Sequence, residues 1–155
     1  MPTFRALELA IEQATRLRDE QARRHVQAQK TLQFAHGQLE QLQSYANDTD
    51  ARWIGGHAVN LSVELVKHHY QFMDRLQHAA SQQQGVIANL ERQRLKVHQA
   101  LLQSEYRLAG FKQLLKGRRA EQQVVRQRRE QRATDEFAAM SHLRARASQT
   151  MEERV

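Results

Sequence analysis

The sequence predicts an all-α fold: an elongated antiparallel two-helix coiled coil, or helical hairpin, with a C-terminal helical overhang. Three observations predict it. The 155 residues include one proline (Pro2), six glycines and no cysteine, which leaves little punctuation for a loop-rich or β fold. Hydrophobic residues make up 40% of the chain, yet they recur singly at helical spacing, as narrow stripes rather than the broad faces of a compact core. The periodicity fails once, between Asn47 and Asn60, and that gap divides the chain into two helices. The expected layout is a single coiled-coil domain with helix 1 over about 3–52, a turn over 53–61, helix 2 over 62–146 and a frayed tail over 147–155.

The first segment carries a seam of alternating three- and four-residue steps. It runs Phe4, Leu7, Ile11, Ala14, Arg18, Gln21, His25, Ala28, Leu32, Ala35, Leu39, Leu42, Ala46, the spacing of a coiled coil. Arg18, Gln21 and His25 interrupt it with polar groups, which weaken packing locally and can set register. Thr3 is the expected N-cap. In the gap, Gly55 and Gly56 supply the freedom a helix end needs, and Asn60 or Ser62 can cap the next helix by accepting its orphan amides. Trp53 and Ile54 are expected to cover the hairpin end.

The second segment resumes with Leu65, Phe72, Leu76, Ala79, Gln83, Val86 and Leu90, then takes two successive four-residue steps from Gln93 through Val97 to Leu101. Such a double step reads as a stutter, a local unwinding of the supercoil. Ser104, Leu108, Phe111, Leu115, Arg118, Gln122 and Val125 continue the stripe. Gly85, Gly110 and Gly117 each cost about 1 kcal/mol against alanine in a helix interior.

A turn centred near His57 pairs residues whose numbers sum to about 114, with Leu42 opposite Phe72, Gln38 opposite Leu76 and Phe4 near Gly110. The chain beyond about Phe111 then has no intrachain partner. It holds eleven Lys or Arg against six acidic residues, most of the net charge of +7. A long basic helix that leaves Val124, Val125, Phe137 and Met140 uncovered is either frayed or meant for a partner.

Several classes are disfavoured by the same residues. Glu8 and Glu12 break any hydrophobic region of a signal peptide, and no run reaches the roughly 20 apolar residues of a membrane span, so a soluble protein is expected. The one Gly-Arg pair, Gly117-Arg118, lacks the rest of a phosphate loop. No HExxH arrangement occurs, and His68 and His69, being adjacent, diverge by about 100° on a helix; with His78 they read as surface or seam residues rather than ligands. A two-helix rod has little means of building a concave catalytic pocket. No enzyme activity, cofactor, metal site or small-molecule substrate is expected.

The pI near 10.4 permits nucleic-acid binding, since phosphate neutralisation is independent of sequence. Basic-zipper proteins, however, place their basic region before the heptads. Here it follows them, interleaved with Glu121, Glu130, Asp135 and Glu136, and no aromatic platform for stacking bases is present.

Short motifs along nearly the whole chain resemble the FliJ family of flagellar type III export proteins. They are Phe4-Arg5-Ala6-Leu7-Glu8-Leu9-Ala10 at the start, Gln38, Leu42 and Tyr45 before the turn, and Phe72, Leu76, Ala79 and Gln82-Gln83-Gln84 after it. The most specific is Glu130-Gln131-Arg132 followed by Asp135-Glu136-Phe137-Ala138, which resembles the family's EQ(K/R)xxDExA signature.

The resemblance implies an antiparallel coiled coil similar to the central stalk of rotary ATPases. It implies a cytoplasmic protein, peripheral at the inner-membrane face of the flagellar basal body, serving protein transport, flagellum biogenesis and motility. The implied partners are the hexameric export ATPase, whose assembly and activity it promotes, the cytoplasmic linker of the membrane-embedded export gate protein, and export chaperones that it recycles. Matched by position, the gate-facing residues are Gln38, Leu42, Tyr45, Phe72, Leu76 and Ala79. Thr49 departs from an expected aromatic and Gln83 from an expected histidine.

The ATPase contact is then expected at the other end, where Arg118, Arg119, Arg126, Arg128, Arg129 and Arg132 meet acidic or carbonyl-lined surface and Phe111, Leu115 and Val125 pack on apolar rim residues. The competing readings are that the arginines form a solvated face, and that Leu42, Phe72 and Leu76 are internal seam. The stalk of a virulence secretion system, a generic scaffold and a nucleic-acid-binding coiled coil are the alternative functions.

Overall fold

The computed structural model describes residues 4–55 and 62–154. They form two helices, α1 (Arg5–Gly55) and α2 (Val63–Glu152), packed against each other as a helical hairpin with no strand among the described residues. Thr3, Gly56, His57 and Asn60, expected as cap or turn residues, lie outside them.

Both helices extend past their expected ends. α1 crosses the polar run Asn47–Asp50 because the seam does not stop there: Thr49 and Trp53 take the next three- and four-residue steps and are half-buried, while Asn47, Asp48 and Asp50 face solvent. Arg52 in the last turn complements the carbonyl end of the helix dipole. Ser62 caps α2, its Oγ accepting from the Leu65 amide at 3.3 Å and its carbonyl accepting from the Leu65 and Val66 amides. At the far end α2 runs to Glu152, so residues 147–152 are helical rather than the start of a frayed tail. There Ser148 and Thr150 return their hydroxyls to carbonyls of the preceding turn.

The α1 seam lies where its spacing put it, all thirteen predicted positions being buried or half-buried. The α2 seam is more regular than expected. Val66, His69, Met73, Leu76, Ala80, Gln83, Ile87, Leu90, Arg94, Val97, Leu101, Ser104, Leu108, Phe111 and Leu115 are buried or half-buried in an unbroken alternation of three- and four-residue steps, with Ala79, His98 and Ala100 half-buried beside them. The predicted stutter is therefore absent. Arg94 occupies the position assigned to Gln93, its aliphatic stem packing while its head group reaches Glu91. Ile87, 9% exposed, replaces Val86, which is 46% exposed. Val66 likewise replaces Leu65, and Met73 replaces Phe72.

The chain divides into two compact units, Gln13–Leu108 on the one hand and the start of α1 with α2 from Ala109 onward on the other. In the first, Leu32, Ala35 and Ile87 form the core, with Leu39 and Leu90 packed on it. Gln83 Nε2 donates across the interface to the Ala35 carbonyl at 2.9 Å and to Gln38 Oε1 at 3.1 Å. Trp53 covers the turn end as expected, stacked on His69 with ring centroids 4.0 Å apart and planes 2° from parallel. Ile54, expected to share that role, is 71% exposed.

Contacts in this unit join residues whose numbers sum to 117 (Tyr45 with Phe72) through 123 (His25 with His98), not 114. The reason is the extended α1, since helix ends at Gly55 and Val63 centre the turn later than His57. In the second unit Glu8 meets Arg119 and Ile11 lines a groove with Leu115. Pairing therefore continues well past Phe111, and the unpaired stretch begins near Gln123, from where every described residue is exposed. It carries seven Arg against five acidic residues, a much smaller excess than the expected one.

Candidate functional site

Two surfaces are built by different means. Near the turn end, seam residues and their outward neighbours cooperate. Leu42, Leu76 and Ala79 are half-buried in the interface, whereas Tyr45 and Phe72 stand outside it and meet edge to face, ring centroids 5.9 Å apart at 80°, a favoured aromatic geometry. Gln38, Leu42 and Tyr45 line one shallow groove with Gln41 and Gln83. The six positions thus divide: Leu42, Leu76 and Ala79 support the hairpin, and Gln38, Tyr45 and Phe72 present chemistry to solvent. Thr49 fills a seam position where an aromatic was expected. Gln83, in place of a histidine, clamps Ala35 and Gln38.

The second surface belongs to the C-terminal part of α2. Of the nine residues expected to meet an ATPase, Leu115 is buried and Phe111 half-buried against α1, so neither is a free apolar contact. They belong to the seam because pairing extends further than the early turn placement allowed. Arg119 donates to Glu8 Oε1 at 3.2 Å. This exposed pair contributes less than about 1 kcal/mol and leaves most of the guanidinium open. Arg118 lines a groove with Leu114 and Glu121. Val125, Arg126, Arg128, Arg129 and Arg132 are exposed.

Geometry adds a feature that seam analysis missed. At about 100° per residue, Arg118, Arg119, Arg126, Arg128, Arg129 and Arg132 all fall within about half of the helix circumference. Phe137, Met140, Leu143 and Met151, each more than half exposed, fall on that same half. The opposite half holds mainly neutral polar residues such as Gln127, Gln131, Thr134, Ser141 and Gln149. Plotting the C-terminal residues around a helix would have revealed this basic and apolar half, because it needs no knowledge of where pairing stops.

Below it, an open groove between the helices has an apolar floor of Ile11, Leu115 and Ala120 and a basic rim of Lys112, Lys116 and Arg119. Its outer continuation is polar, lined by Gln122, Arg126, Gln127 and Glu130. Such a surface suits an acidic helix or loop that brings a few apolar side chains. Among the described residues no cluster of three or more His, Asp or Glu is placed to hold a metal ion, and no helix is long and apolar enough to cross a membrane.

A family model described as flagellar FliJ protein matches residues 4–147. The chain belongs to the FliJ family. The match takes in the residues near the turn, most of the basic and apolar half and the signature Glu130–Ala138. FliJ proteins are flagellar type III export components without a catalytic role of their own, in keeping with a molecule whose distinctive chemistry lies on exposed helix faces. No curated protein and no solved structure matches the chain.

Proposed function

We propose that this FliJ-family protein is the stalk-like adaptor of its export apparatus. It binds the hexameric export ATPase through the basic and apolar half of α2, contacts the export gate protein through Gln38, Tyr45 and Phe72, and returns export chaperones to the gate. The observation that carries the reading is the exposed C-terminal stretch. A helix that continues from Gln123 to Glu152 with every described residue exposed, and keeps Phe137, Met140, Leu143 and Met151 in solvent, is suited to gain cover from another molecule. Arginines on the same half give that partner an acidic or carbonyl-rich character.

The gate contact rests on the Tyr45–Phe72 pair, an exposed aromatic couple whose stability role is small because both rings lie outside the seam. Leu42 and Leu76 act beneath it by fixing the backbone that presents it. The work takes place at the inner-membrane face of the basal body, where the gate protein is embedded.

The test is ATP hydrolysis by the export ATPase of the same bacterium, titrated with the full chain, with a chain ending at Gln122, and with Arg126, Arg128, Arg129 and Arg132 all changed to Glu. Stimulation by the full chain that disappears in both variants is expected. Equal stimulation by all three would overturn the assignment of the ATPase contact. Binding of the gate protein's cytoplasmic part, weakened by Tyr45→Ala with Phe72→Ala but not by the truncation, is the expected separate result for the other surface.

A further inference from the structure

The polar break in the α1 seam faces a histidine from α2. His25 and His98 meet across the interface with ring centroids 5.1 Å apart and planes tilted by 40°. His25 Nε2 and His98 Nδ1 are both buried, and neither has a hydrogen-bond partner. Buried ring nitrogens are ordinarily satisfied, because leaving one unpaired forfeits its hydration. Two unpartnered ring nitrogens on rings that meet in one layer are therefore unfinished chemistry.

We propose that His25 and His98 form a two-imidazole clasp for a borderline divalent transition metal ion of the Zn2+ or Ni2+ type. Neutral imidazole nitrogen is the ligand such ions prefer. The spacing fits. Imidazole binds Zn2+ at about 2.0–2.1 Å, which puts each ring centre about 3.2 Å from the ion, and two rings at the tetrahedral angle then have centres about 5.2 Å apart. The clasp needs little movement of either helix, since its two ligands are already held at that separation by the seam.

The local charge also permits a cation. Arg24, beside His25, is held by Glu20 at 2.7 Å, and Arg94, one turn before His98, is held by Glu91 at 3.4 Å. These two guanidiniums thus have their own carboxylates, and Arg23 and Lys96, each two residues from a histidine of the pair, are exposed to screening solvent. Water completes the coordination, because the described residues supply no third ligand. Bound there, the ion joins the two helices midway along the Gln13–Leu108 unit and offsets the weak packing of Arg18, Gln21 and His25.

Zn2+ or Ni2+ alone, titrated calorimetrically into the full chain at pH 7.5, tests the clasp beside His25→Gln, His98→Gln and, as a control, His68→Gln with His69→Gln. Glutamine keeps a polar side chain in the layer, and circular dichroism confirms that each variant folds. Removing an outer-shell partner of a metal ligand costs about 10–100-fold in affinity, so losing one of two direct ligands should cost at least tenfold. The expected result is that loss in both single variants, none in the control, and a metal-induced rise in Tm restricted to chains that retain both residues. Undiminished binding in His25→Gln and His98→Gln, or no binding by the native chain, would overturn the proposal.

Discussion

One helix, α2, lives two lives. From Val66 to Leu115 it buries a side chain at every third or fourth position; from Gln123 to its end it buries none among the described residues. Helix formers populate both stretches, so propensity does not distinguish them. What differs is the partner. In the paired stretch apolar side chains are withdrawn from water against α1, and they stabilise the fold at about 25 cal/mol per Å². In the unpaired stretch side chains as large as Phe137 contribute nothing to folding, and their energy is available for binding. The lesson is that an apolar residue in a long helix is read by what stands opposite it.

Substitutions can break this contrast. Ile87→Ala or Leu32→Ala, in the core of the first unit, should cost about 2–4 kcal/mol, whereas Phe137→Ala should change stability by less than about 0.5 kcal/mol. Urea unfolding followed by circular dichroism measures both. Equal losses would mean that the C-terminal stretch is covered after all. Next in size comes the pair of truncations. Ending the chain at Gly110 removes Leu115 and Arg119, the partners of Ile11 and Glu8, and should fray the start of α1. Ending it at Gln122 should leave Tm within about 3 °C of the full chain, as expected for a change below about 0.5 kcal/mol.

Smaller effects sharpen the comparison within the helix interior. A Cβ added at Gly85, Gly110 or Gly117 meets nothing within 4 Å, so each change to Ala should stabilise by about 0.4–1 kcal/mol. Thermal melts of the three variants check this, and a loss at any of them would show that backbone bending there is needed. Smallest of all, Glu8→Gln should cost less than about 0.5 kcal/mol, and the effect should vanish by 1 M salt, because the Glu8–Arg119 pair is exposed.

The seam of α1 was legible in the sequence down to its polar members, because one alternation of three- and four-residue steps runs unbroken from Phe4 to Ala46. Along α2 the choice was ambiguous. Leu65-Val66 and Val86-Ile87 are neighbours of equal hydrophobicity, and periodicity alone selects the wrong one as easily as the right one. At Gln93-Arg94 a polar pair hid the seam, since the packing part of arginine is its stem. Those errors together produced the false stutter. The early turn placement had the wider consequence: it moved Leu115 from the interface to the unpaired stretch. Of the surface near the turn, seam logic located Leu42 and Leu76. Tyr45 came from family resemblance alone, because an exposed aromatic leaves no periodic trace, and Phe72, which periodicity put in the seam, stands outside it.

The stack of Trp53 on His69 has a spectroscopic consequence. Trp53 is the single tryptophan of the chain, so indole emission, excited selectively beyond the absorption of the three tyrosines, reports on the turn end of the hairpin. Held face to face with an imidazole that is also 3.7 Å from Asp50, the indole carries a quencher at contact distance. Opening of that end therefore brightens the signal without any loss of helical ellipticity. Two optical channels on one unmodified sample thus separate local unzipping from global melting, and identify which end of the hairpin a bound partner touches.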